Sequence, residues 1–304
     1  MAVAYAAVLM EKGINFSVIG RGPNSANEFY KSTGIKPYEG GLEKYLLHNP
    51  IPEDLQAIIA TGLESLMVSL QILLKAGVKR ILVEKPAAVS IEELLENEQE
   101  LTKFGANIFV AYNRRFYSSV IEAKKLIEED GGLLSMHFEF TEWAHRIELL
   151  GKLAQVTENW FFANSTHVVD LAFYLSGKPV KLQSFSQNRS LKWHSKSIFC
   201  GAGVTSENVL FSYLSNWESA GRWGIELLTY KRRIYLKPLE GIGIQLKDSV
   251  SVNDHIFDNS LDQKFKPGIY KQVEAFINRE EEKLLNLQEH VTNTTEVYQK
   301  ILHS

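Results

Sequence analysis

The sequence predicts a parallel α/β sheet covered by helices, followed by a second domain of α+β type, and three observations carry that prediction. Strand-like and helix-like segments alternate from Ala57 to Ala111, the mark of βαβ units and hence of a parallel sheet. Within them Ile81-Leu82-Val83 reads as a strand buried on both faces. Beyond Arg115 strand-like segments predominate, which indicates a separate α+β domain. A length of 304 residues accommodates both, divided as 1–115 and 116–304.

In order, Ala2 to Met10 is small, apolar and free of glycine and proline, and Gly13 behind it can supply a left-handed cap, so this stretch predicts a helix. Asn15 to Ile19 reads as a strand ended by Gly20-Arg21-Gly22. Then come strand Ala57 to Ala60, helix Leu63 to Lys75 closed by Gly77, strand Arg80 to Val83, helix Ser90 to Phe104 closed by Gly105, and strand Asn107 to Ala111. Ser90 and Glu93 form a capping box that starts their helix at a defined place. Helix Tyr117 to Glu129 ends at Gly131-Gly132. The expected strands of the second domain are Leu133 to Trp143, Val180 to Gln187, Val204 to Leu214, Trp223 to Thr229, Arg232 to Leu236 and Ile242 to Leu246. Between the first two, Val168, Leu171, Ala172 and Leu175 recur at helical spacing over Asn164 to Gly177, which places His167 and Asp170 near the start of a helix. The tail reads as two helices, Tyr270 to Ile277 and Thr292 to Ile301, joined by a charged loop.

Composition is that of an ordinary globular protein, 45% hydrophobic and 23% charged. A net charge of -3 gives no electrostatic reason to expect nucleic acid or an anionic membrane. The single cysteine, Cys200, excludes an intramolecular disulfide and a cysteine-based zinc site and fits a reducing compartment; no metal site is expected. Glu64 interrupts the longest apolar run, and Met1 to Met10 lacks the basic flank of a signal peptide, so the expected location is cytoplasmic.

The candidate chemistry starts at Glu84-Lys85-Pro86, where the buried strand ends in an acid, a base and a proline that stops it. The C-terminal edge of an open α/β sheet is where ligands bind, and a solvated ion pair at a strand end accounts for the hexapeptide as well. The ordered set is more specific. Ala60-Thr61 precedes a helix and then Glu84-Lys85-Pro86; Ala111-Tyr112-Asn113-Arg114-Arg115-Phe116 follows, and then Ser165-Thr166-His167-Val168-Val169-Asp170-Leu171. This set resembles the Gfo/Idh/MocA family of NAD(P)-dependent oxidoreductases over nearly the whole chain, most strongly from Ala57 to Phe116. The resemblance implies a Rossmann domain, then an α/β domain whose large, open, mainly antiparallel sheet forms a homodimer or higher oligomer. It also implies hydride transfer between nicotinamide and a hydroxyl or carbonyl of a sugar, inositol, sugar nucleotide or related compound.

Carried over by position, Lys85 hydrogen-bonds the reacting oxygen and His167 is the general acid or base beside it, with Pro86 in the cis form. The chemistry agrees: histidine titrates near neutral pH, and a charged lysine stabilises negative charge developing on oxygen. Thr61, Glu64, Glu84, Lys85, Pro86 and Asn113 then line the dinucleotide groove, and Arg114 and Asn164 join Lys85 and His167 at the substrate. Asp170 reads as a structural partner near the helix start. Arg21 stands where an acid would bind the ribose of NAD, and an arginine suits the 2′-phosphate of NADP; an exposed arginine in a turn is the alternative. The five tryptophans, Trp143, Trp160, Trp193, Trp217 and Trp223, all fall in the second domain, where sheet packing, a dimer interface or stacking on a sugar would each use them.

Two departures stand out. Ala163 occupies the position where many members carry an aspartate, and Asn164 beside it cannot transfer protons. A first strand with its G-x-G-x-x-G turn does not precede the first helix. The expectation is therefore a shortened chain that binds NADP(H) weakly and unfolds readily in its first half. A non-catalytic member with a binding or interaction role is the rival reading; a short-chain reductase is disfavoured by the lack of a Tyr-x-x-x-Lys pair near a fourth or fifth strand.

Overall fold

A computed structural model describes residues 1–304 and resolves two compact units, Met1–Ala111 with Leu261–Val291, and Tyr112–Ser260 with Thr292–Ser304. This division differs from the one expected at residue 115, because residues 261–291 return to the first unit. No helix is long and apolar enough to cross a membrane.

In the first unit, β1 (Ile19–Gly20) pairs in parallel with β2 (Tyr38–Glu39). The parallel strands β3 (Gln56–Ile59), β4 (Arg80–Glu84) and β5 (Asn107–Ala111) form a second sheet, which Leu285–Asn286 extends antiparallel on β5. The expected Asn15 to Ile19 strand is thus shorter, and β1 and β3 are edges of two sheets that share no ladder. The apolar run behaves as predicted, since Ile81, Leu82 and Val83 are fully buried. Helix Leu66–Lys75 buries Leu66, Met67, Leu70, Leu73 and Leu74 and stops before Gly77, whose φ of 95° suits a residue without Cβ. Helix Ile91–Lys103 starts where the capping box predicts: Ser90 Oγ accepts from Glu93 N at 3.2 Å, and the Glu93 carboxylate accepts from Val89 N at 2.6 Å. Helix Ile269–Ile277 docks on helix Ala2–Glu11. Buried Arg80 ties its end to the sheet, donating to Phe276 O and to Glu281 at 2.6 Å.

The second unit is an eight-stranded sheet of β6 (Ser135–Glu139), β7 (Pro179–Gln187), β8 (Ile198–Thr205), β9 (Leu210–Asn216), β10 (Gly224–Leu228), β11 (Arg232–Leu236), β12 (Gly243–Leu246) and β13 (Asn253–Asp254), in the order β13-β12-β11-β10-β6-β9-β8-β7. Every neighbouring pair is antiparallel except β6 with β9. The expected strand Val204 to Leu214 is instead two strands joined by a turn in which Asn208 takes φ 59°, a left-handed conformation that asparagine tolerates better than most residues. One sheet face carries helix Thr166–Ser176, with Phe173 edge-on to Phe138 at 5.7 Å. Val180, Phe185, Leu210 and Leu214 stay exposed on the strands.

Candidate active site

At the tip of β4 the Lys85–Pro86 peptide is cis, Ala87 N donates to Glu84 O at 3.0 Å, and His290 Nε2 lies 2.9 Å from Pro86 O. The turn is therefore held from both sides. Tyr5 donates from its phenol to the Glu84 carboxylate at 2.6 Å. Burial pushes the Glu84 carboxyl above its ordinary range, against the opposing effects of the Tyr5 hydrogen bond and the Lys85 charge. Glu84, expected to line the cofactor groove, is thus engaged by a tyrosine from the first helix; Lys85 next to it is half-buried and Pro86 buried. Thr61 and Glu64 are exposed just beyond β3, and the Glu64 carboxylate lies 3.6 Å from the Arg21 guanidinium beyond β1. Arg21 and Glu64 thus lie close to each other just beyond the ends of β1 and β3.

In the second unit the chain leaves Tyr112 through the tight turn Asn113–Phe116. Asn113 is buried; Arg114 points across Trp223, with its guanidinium carbon 4.6 Å from the ring centroid. Burial lowers the Arg114 pKa. Arg115 donates from Nε and Nη2 to the two oxygens of Asp170 at 2.8 and 2.6 Å, so Asp170 is the structural partner it was read to be. That pair anchors the helix whose first turn presents His167. The imidazole is buried, with Tyr112 edge-on at 5.7 Å and Trp223 at 6.0 Å. Tyr112 also donates to Thr166 Oγ1 at 3.0 Å, and burial holds its phenol well above its ordinary pKa.

The helix is entered through a wide turn, Phe161–Ser165, which sets Asn164 and Ser165 three and two residues before His167. Both donate to one oxygen of Glu142, each at 2.9 Å, and Arg222 approaches the other oxygen at 3.4 Å. Glu142 is almost fully buried, and such a charge needs its partners. Position 163 thus remains an alanine, while a carboxylate from the chain beyond β6 stands against the neighbouring Asn164. The sequence reading missed Glu142, Arg222 and the part played by Tyr5. The one local hint was an acid at the position where the alternation of Met136, Phe138 and Phe140 calls for an apolar residue.

No protein-family model matches the sequence, and no curated protein matches it. Solved structures match the fold over both units. An oxidoreductase from Agrobacterium radiobacter in complex with NAD+, L-tartaric acid and magnesium aligns with a TM-score of 0.74 at 13% identity, covering 99% of this chain and 93% of that one. A levoglucosan dehydrogenase in complex with NADH and levoglucosan aligns at 0.70 and 18% identity, covering 100% and 92%. The UDP-N-acetylglucosamine 3-dehydrogenase from Acidithiobacillus ferrooxidans aligns at 0.70 and 11% identity, covering 99–100% of this chain and about as much of itself as the other two. The fold is that of these dehydrogenases, a Rossmann-like parallel domain with a large, mainly antiparallel sheet.

Proposed function

We propose that the protein is an NAD(P)-dependent oxidoreductase acting on a hydroxyl or carbonyl of a sugar, sugar nucleotide or related polyol. The observation that carries this reading is the placement of Lys85 by a fully buried parallel strand at its C-terminal tip, in a fold shared with dehydrogenases of such substrates. The residues at hand fit the two ends of a dinucleotide: Arg21, Thr61 and Glu64 follow the ends of β1 and β3, and Glu84-Lys85-Pro86 follows β4. When bound, the nicotinamide supplies the hydride acceptor or donor.

Lys85 stabilises negative charge on the reacting oxygen as hydride departs, and His167 takes or returns that oxygen's proton. The Arg115–Asp170 pair and the Tyr112 ring hold His167 in its orientation. Asn164, aligned by Glu142, offers its carbonyl oxygen to a substrate hydroxyl. Arg21 favours NADP, although Glu64 at 3.6 Å competes for its charge. The exposed Val180, Phe185, Leu210 and Leu214 support an oligomer built on the sheet of the second unit. Alanine at 163 supports a second reading, a binding role without catalysis.

Titration with NADPH and NADH, followed by nicotinamide fluorescence, tests the reading, and failure to bind either would overturn it. Turnover on a sugar panel then separates enzyme from binder. Lys85→Ala is expected to lower turnover far more than it weakens cofactor binding; equal turnover in the folded variant removes Lys85 from the chemistry.

A further inference from the structure

Arginine and tryptophan alternate along the second unit in a ladder that runs from the surface to His167. The guanidinium carbon of exposed Arg146 lies 4.7 Å from the Trp143 ring centroid, Arg222 lies 4.8 Å from Trp143 and 4.6 Å from Trp223, and Arg114 lies 4.6 Å from Trp223. Trp223 in turn neighbours His167, with 6.0 Å between ring centroids. An indole face attracts a guanidinium, but two cations on one ring also repel each other.

Glu142 and Glu240 are the acids whose charges act on Arg114. Glu142 compensates Arg222 only loosely, because its closer hydrogen bonds, at 2.9 Å, go to Asn164 and Ser165 while Arg222 stands at 3.4 Å. A guanidinium carries five N–H donors in a planar fork that matches a carboxylate or phosphate. The Arg222 side chain is 44% exposed, within reach of a ligand. Trp223 is buried beneath Arg114 and Arg222, whereas Trp143 is 37% exposed and leaves part of its indole open to the apolar face of a sugar ring, so Arg222 and Trp143 together offer the two halves of a charged sugar their partners.

We propose that this ladder recognises an anionic sugar, one bearing a carboxylate or phosphate that Arg222 and its neighbouring arginines bind while the ring lies against tryptophan. The inference rests on the oxidoreductase reading only in taking the ladder to be the substrate's site.

The test is binding to the full chain without nicotinamide, read by tryptophan fluorescence and calorimetry, with glucose, D-glucuronate, glucose 6-phosphate and inorganic phosphate at one ionic strength. At least one charged sugar is expected to bind ~10-fold or more tightly than glucose. Which one does so distinguishes carboxylate from phosphate recognition. Arg222→Gln should reduce that preference to within about 3-fold while leaving glucose binding in place. Equal binding of charged and neutral sugars, binding of none of them, or a preference that survives both Arg222→Gln and Arg114→Gln would overturn the proposal. Inorganic phosphate bound as tightly as glucose 6-phosphate would overturn its sugar half. Because no cofactor is present, failure here leaves the hydride-transfer reading standing, and failure of the nicotinamide titration leaves this result standing.

Discussion

Replacing Asp170 by asparagine perturbs the ion pair that anchors the His167 helix while nearly keeping its shape. In the native protein both side chains are buried and joined by two hydrogen bonds of 2.8 and 2.6 Å. Asp170→Asn leaves the Arg115 guanidinium buried without its counter-charge. Breaking a buried pair in this way costs about 3 to 5 kcal/mol, a large part of a whole stability of roughly 5 to 15 kcal/mol. With a urea dependence of about 1–3 kcal/mol per molar, the unfolding midpoint should fall by more than about 1 M. All five tryptophans lie in the second unit, so their emission during urea unfolding reports on that unit. The double variant Arg115→Met with Asp170→Leu removes both charges together and should recover most of the loss, because apolar replacement of a whole buried pair is often neutral. A midpoint shift below about 0.3 M for Asp170→Asn, or a double variant as unstable as the single one, would refute the claim that charge pairing holds this helix.

The remaining predictions concern pH, cofactor and catalysis. Burial lowers the His194 pKa to about 4, so the folded protein keeps the ring neutral while the unfolded chain takes up a proton from about pH 6.5 downward. Its contribution is therefore present above about 6.5 and lost as pH falls to about 4, by about 3 kcal/mol. His194→Phe keeps a ring on Trp217, now 4.8 Å away, and should flatten this slope in urea titrations; an unchanged slope assigns it to other groups. Arg21→Ala should weaken NADPH more than NADH, since only NADPH offers a phosphate to the guanidinium; equal loss, or none, places Arg21 outside the adenosine pocket. His167→Ala should lower the rate and erase one limb of the pH–rate profile, and persistence of that limb would identify another base.

What the sequence by itself determined lies in features that depend on near neighbours. The apolar run of β4, the Ser90–Glu93 cap and the helical spacing around Val168 and Leu171 act over a few residues, and each forms where expected. The position of Lys85 at a strand tip follows from the same local pattern. Tertiary structure decided the rest. Residues 261–291 rejoin the first unit because helix Ile269–Ile277 and Arg80 find each other across 196 residues. Glu84 turns toward Tyr5, 79 residues earlier, and buried Glu142 meets Arg222, 80 residues later. Polar partners of this kind are selected by what folding buries beside them. A buried carboxylate takes whichever donors the packed chain brings within reach, and residues so distant in sequence have no spacing from which that meeting could be read.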